Sequence, residues 1–133
     1  MPKYSWGRFS DVMKNPLLSV DTISTHDMPP LRLWWRKNRD AAQDYYNNVL
    51  HLDDEAPYEI SSSLCRLIVK RHLKSPSLLC ILAFQDWTAT KDEWRADDVA
   101  DERVNDPADP CHYWRYRMHR CIEDFNGGAE IIR

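Results

Sequence analysis

Two short polar pairs stand where chemistry is usually placed in α/β proteins. His26-Asp27 follows the run Leu17 to Thr25, which is rich in β-branched residues and reads as a buried strand. Gln85-Asp86 follows a continuous apolar run from Leu78 to Phe84, read as a second buried strand. In open α/β sheets and (β/α)₈ barrels, active-site groups sit at the C-terminal ends of strands, and both pairs fall there. Spacing alone favours Asp27 as a helix cap with His26 a polar loop residue, because such caps are common. Cys111-His112 and His119-x-Cys121 offer four potential zinc ligands, but their spacing fits neither paired CxxC motifs nor a finger pattern. No metal is expected there.

The elements that must position these groups follow from periodicity. Asp27 precedes Pro29-Pro30, and proline is tolerated in a first helical turn, where its missing N–H leaves no bond unmade. Leu31, Trp34, Trp35, Ala42, Tyr45, Tyr46 and Val49 then recur at helical spacing to about Leu50, which predicts one helix with both tryptophans packed in its core face. Arg36-Lys37-Asn38-Arg39 reads as its solvated face. After an acidic loop, Ile60, Leu64, Leu67 and Ile68 predict a second helix, ended by Ser75-Pro76 and basic toward its far end, as the helix dipole favours. Residues 88 to 109 have no period and contain Pro107, so they read as a long loop of functional length. A last helix is expected from Trp114 to Phe125, and residues 1 to 16 read as a loop. The order strand, helix, helix, strand, loop, helix is that of a parallel α/β fold. Two such strands cannot pair both edges and cover both faces, so the chain reads as a slice of a larger fold.

Composition removes several classes of function. With 133 residues, 43% of them apolar, the chain suits one globular domain. A net charge of -3 with pI near 5.9 lacks the basic footprint of a nucleic-acid binder. No apolar run approaches the ~20 residues of a membrane span, and Met1 to Trp6 has no signal-like segment, so a cytoplasmic protein with reduced cysteines is expected. Only three glycines occur, which argues against a glycine-cradled phosphate site. Six tryptophans and six tyrosines suit a core, a partner surface or sugar stacking.

Ser24-Thr25-His26-Asp27-Met28, Leu31-Arg32-x-Trp34-Trp35, Ser75-Pro76-Ser77 leading to Gln85-Asp86, Glu102-Arg103-Val104-Asn105-x-Pro107, and His112 through His119 occur in that order. Together they closely resemble the C-terminal part of the 4-α-glucanotransferases of glycoside hydrolase family 77, the amylomaltases or disproportionating enzymes. The likeness runs from about residue 9 to 125. It implies that residues 1–133 are a C-terminal fragment of that catalytic domain, carrying about the last two strand-helix units of a (β/α)₈ TIM barrel, incomplete as a barrel.

The resemblance also implies a retaining transfer of α-1,4-glucan segments between maltooligosaccharide or starch- and glycogen-type acceptors, with no cofactor. Retention needs a nucleophilic carboxylate and an acid/base carboxylate about 5 Å apart, and in the family both lie upstream of the Thr-His-Asp motif. They are absent here, so the isolated chain is expected to be inactive. The family's third catalytic carboxylate, which stabilises the oxocarbenium-like transition state, maps onto Asp27. His26 then donates to a hydroxyl of the same sugar, and Asn105 falls on a loop near the donor sugar, where the alternative is a buried loop anchor. Gln85 and Asp86 are expected to hold loops over the barrel mouth.

The expected partners are the glucan and either the missing N-terminal part of the barrel or further copies of the chain, with no nucleic acid or membrane. A non-catalytic glucan-binding or assembly module of the same descent is the alternative. Pro29-Pro30 stands where the family usually has small polar residues, and Ala108 where many members have glycine. Asp21, inside the first strand, needs a partner to be buried as a charge.

Overall fold

The computed structural model describes residues 11–112 and 114–125. The first ten residues of the loop expected over 1–16 lie outside this range; from Asp11 onward there is a capped 3₁₀ turn at Val12–Lys14. The element order is β1 (Val20–Asp21), α1 (Leu31–Lys37), α2 (Arg39–Asn48), α3 (Ser62–Leu73), β2 (Leu79–Cys80) and α4 (Phe84–Thr88). Further 3₁₀ turns lie at Asp92–Trp94, Val99–Glu102 and Ile122–Phe125.

β1 and β2 pair in parallel, with Val20 opposite Leu79 and Asp21 opposite Cys80. Backbone bonds continue on either side, from Leu78 N–H to the Leu17 carbonyl at 2.8 Å and from Ile81 N–H to the Asp21 carbonyl at 2.9 Å. Parallel strands need a long crossover, and here α1, α2 and α3 supply it. The strands are much shorter than the runs Leu17 to Thr25 and Leu78 to Phe84 predict, and one face of the pair is not buried. Leu18, Val20, Leu79 and Ile81 are all more than half exposed. Side chains alternate along a strand, so these four share one face while Asp21 turns inward toward α3. Asp21 is 3% exposed and bonds Nδ1 of the buried His72, in the last turn of α3, at 2.9 Å. That histidine is the partner the strand carboxylate requires.

The single helix expected from Pro29 to Leu50 is two helices. Asn38 leaves helical geometry at φ −119°, ψ 64°, and both its backbone N–H and its side-chain amide donate to the Trp34 carbonyl. Its own carbonyl accepts from Ala42 N–H to begin α2. The basic cluster is therefore more than a solvated face. Arg39 donates to the carbonyls of Ala56 and Pro57, and Arg36 pairs with Glu59 at 2.5 Å, which pins the acidic loop. Trp34 and Trp35 are buried as expected, and Trp35 donates its indole N–H to the Pro57 carbonyl at 2.8 Å.

α3 starts at a Ser61 cap that accepts from Leu64 N–H, and its Leu64, Ile68 and Val69 enter the core, whereas Leu67 is 41% exposed. Gln85 and Asp86 lie inside α4 rather than at the tip of a strand. The stretch 88 to 109 folds into two 3₁₀ turns that bury Trp94, Ala96, Val99 and Glu102. Between Trp114 and Phe125 no α-helix forms among the described residues, only the turn Ile122–Phe125. His112 and His119 instead hold that segment by donating from Nε2 to the backbone carbonyls of Val104 and Trp94.

Candidate active site

The loop between β1 and α1 is fixed by one buried carboxylate. Asp86, fully buried in α4, accepts from Ser24 Oγ and, at 3.0 Å, from the backbone N–H of Leu31, the first residue of α1. It is thus a helix cap supplied from 55 residues away, and it ties both ends of the loop to α4. The cap expected of Asp27 is not made: α1 starts after Pro30, with no side-chain bond from its own flank. Between the two ties, Met28 N–H bonds the Thr25 carbonyl at 3.1 Å and closes a turn that carries His26 and Asp27.

Freed from capping, the Asp27 carboxylate takes two other neighbours. Asn105 Nδ2 donates to its Oδ1 at 2.7 Å, and His26 Nε2 lies 3.3 Å from its Oδ2. The side chains of His26 and Asp27 are 57% and 50% exposed, so the cluster faces solvent. All three residues singled out in the sequence are therefore brought together. His26 further contacts the indole of Trp114, with ring centroids 5.1 Å apart and planes tilted by 43°.

Asn105 is held by the chain around it. Arg103 donates from Nε to the Asn105 carbonyl at 2.9 Å and pairs with Asp106 at 2.9 Å. One residue earlier, Glu102 forms a buried ion pair with Arg32 of α1, and Arg32 also donates to the Ala96 carbonyl at 3.1 Å. Burial pushes the Glu102 carboxyl up, against the opposing pull of the Arg32 guanidinium. The pair locks the segment bearing Asn105 to the helix that follows Asp27. Neither Glu102 nor Arg32 was singled out for this in the sequence, although Glu-Arg-x-Asn and Leu-Arg-x-Trp-Trp are the motifs that contain them.

Beside the cluster lies an open cleft of about 150 Å³ lined by Ser24, Thr25, His26, Pro30, Ala83, Phe84, Gln85 and Val104. Asp27 and Asn105 adjoin it through their chain neighbours His26 and Val104. An apolar floor with a few polar groups at one side is the usual make-up of a small-molecule site. Nothing in the cluster resembles a metal centre: among the described residues no group of three or more His, Cys, Asp or Glu is arranged to hold an ion. The cysteines Cys65, Cys80, Cys111 and Cys121 are all free. Among the described residues no helix is long and apolar enough to cross a membrane.

A small parallel α/β unit with a solvent-facing carboxylate and imidazole in the loop that follows β1, joined there by an amide, defines the class, and comparison with known proteins gives the family. The family model for 4-alpha-glucanotransferase, glycoside hydrolase family 77, matches residues 2–123, and the chain belongs to that family. It is 36% identical over 114 residues to the 4-alpha-glucanotransferase DPE2 of Oryza sativa subsp. japonica, covering 86% of this chain and 12% of that protein. It is 30% identical over 125 residues to a 4-alpha-glucanotransferase of Chlamydia pneumoniae, covering 89% of this chain and 23% of that one. The chain thus spans between about an eighth and a quarter of the length of these relatives. No solved structure matches it.

Proposed function

We propose that this chain supplies one corner of the active site of a retaining 4-α-glucanotransferase, with Asp27 as the carboxylate that stabilises the transition state. The observation that carries this reading is the convergence on Asp27 of Asn105, at 2.7 Å, and His26, at 3.3 Å, around a half-exposed carboxylate. A fixed anion that accepts hydrogen bonds from sugar hydroxyls binds more strongly as positive charge grows at the anomeric carbon, so it lowers the barrier rather than tightening binding alone. His26 donates to a hydroxyl of the same ring, and Asn105 orients the carboxylate. The nucleophile and the acid/base lie outside this chain, so transfer of α-1,4-glucan segments needs the other strands of a (β/α)₈ barrel.

The exposed face of Leu18, Val20, Leu79 and Ile81 supports that requirement. Apolar side chains in this density on a parallel sheet are covered in stable proteins, and inside a TIM barrel they are covered by the side chains of the remaining strands.

The test is to mix the chain with a polypeptide carrying the preceding strands of a family 77 barrel and to follow disproportionation of maltotriose. Transfer is expected from the mixture and from neither part alone, and Asp27→Asn is expected to lower turnover by a factor of roughly 10² or more while substrate binding holds. A mixture that binds glucan but never transfers it favours a binding or assembly module instead.

A further inference from the structure

We infer that Trp114 forms an aromatic platform for a glucosyl ring next to His26 and Asp27, a binding role that rests on the glucan-handling reading above. Trp114 is 64% exposed, whereas Trp35 and Trp94 are buried in the core. Its indole lies against the His26 ring at 5.1 Å, so one side of the indole completes the cluster and the rest remains in water. This exposure is not that of a loose tail. The segment is anchored on either side, by His112 Nε2 at 3.1 Å from the Val104 carbonyl and by His119 Nε2 at 2.6 Å from the Trp94 carbonyl.

The ligand class follows from the mixture of surfaces. A pyranose ring presents C–H groups on its faces and hydroxyls around its edge, so it is held by a flat apolar side chain below and hydrogen-bonding groups at the side. Trp114 supplies the first, while His26, Asp27 and Asn105 supply the second. Phe84, 38% exposed and set edge-on to Phe125 at 5.2 Å, adds an apolar side chain to the cleft that His26 also lines. A small-molecule or peptide hydrophobe would not call for three polar side chains beside the indole.

Maltoheptaose titrated into the ¹⁵N-labelled full chain tests this, with the Trp114 indole resonance identified by its loss in Trp114→Phe. The expected result is a shift of that resonance, roughly tenfold weaker binding in Trp114→Ala, and binding in Trp114→Phe within about threefold of the unaltered chain. Circular dichroism of each variant checks that the fold is kept, and the exposed position makes that the expected result. Binding that Trp114→Ala leaves intact and His26→Ala abolishes overturns the platform alone. If maltoheptaose perturbs no resonance of the full chain, both the platform and the glucan-handling reading fall.

Discussion

The side-chain amide of Asn105 donates to the carboxylate of Asp27 across 2.7 Å, although 78 residues separate the two in the chain. Two buried ties make this meeting possible. Asp86 holds the loop that carries Asp27, and the Arg32–Glu102 ion pair holds the segment that carries Asn105 against the same helix. The cluster is thus oriented by buried groups outside it.

If Asn105 orients Asp27, the sign of its substitution is fixed by charge. Asn105→Ala removes a hydrogen bond to an anion, a bond that contributes about 1.5–3 kcal/mol when shielded and less at this half-exposed position. Asn105→Asp replaces the donor with a second anion and should weaken maltoheptaose binding further. Calorimetric titration that finds Asn105→Asp binding as tightly as the unaltered chain would refute the orienting role.

Asp86→Ala is expected to destabilise the fold by about 2–4 kcal/mol, because it removes a helix cap and leaves the Ser24 hydroxyl and Leu31 N–H buried without their acceptor. Ser24→Ala removes only one donor and should lose about 1 kcal/mol. Urea unfolding monitored by tryptophan fluorescence gives both values. Equal losses in the two variants would mean that the remote cap contributes nothing.

Asp21 and His72 join β1 to α3 in the interior, and one oxygen of Asp21 has no hydrogen-bond partner in the structure. Removing the imidazole by His72→Ala strands a buried carboxylate and should cost about 3–5 kcal/mol. Replacing both together, with His72→Leu and Asp21→Val, should cost less than His72→Ala, since no charge is left unpaired. The comparison of unfolding midpoints decides this, and a double variant less stable than the single one counts against it.

Two buried groups set an alkaline limit on stability. Burial pushes the Tyr45 phenol up to about 12 and the Cys65 thiol up to about 12, each despite a nearby arginine. The unfolded chain releases these protons near pH 9 for the thiol and pH 10 for the phenol, while the folded chain retains them to about 12. In that window the unfolded state binds fewer protons, so stability falls as pH rises, by on the order of 2 kcal/mol from Tyr45. Tyr45→Phe should flatten the loss measured between pH 9.5 and about 11.5.

The same burial separates the thiols. Cys111 and Cys121 are exposed and should react with a chromogenic disulfide in the folded chain, whereas Cys65 should react only on unfolding. Three or more fast thiols in the native protein, with Cys65 among them by mass mapping, would contradict the packing of α3.

Most of the helical stripe of α3 (Leu64 and Ile68 but not Leu67), the burial of Trp34 and Trp35 and the parallel pairing of the two strands were legible in the sequence, because each follows from local patterning. The list His26, Asp27 and Asn105 came from motif order rather than spacing, and the structure brings these three side chains together. Four features were not legible, for physical reasons. The long helix breaks at Asn38 because its side chain caps α1 locally, a competition that an apolar stripe does not reveal. The cap of α1 comes from Asp86 rather than Asp27, which only the meeting of α4 with the β1 loop could decide. The segment from Trp114 stays out of helix because His112 and His119 bind carbonyls elsewhere. The two apolar runs form only two-residue strands, since a ladder with one neighbour on one side leaves little to extend it. Sequence determined which residue types are on hand, a carboxylate, an amide and an imidazole. Tertiary structure decided that Asp27 is free of the helix and shared with Asn105, since hydrogen bonds across 78 residues depend on packing that no local pattern encodes.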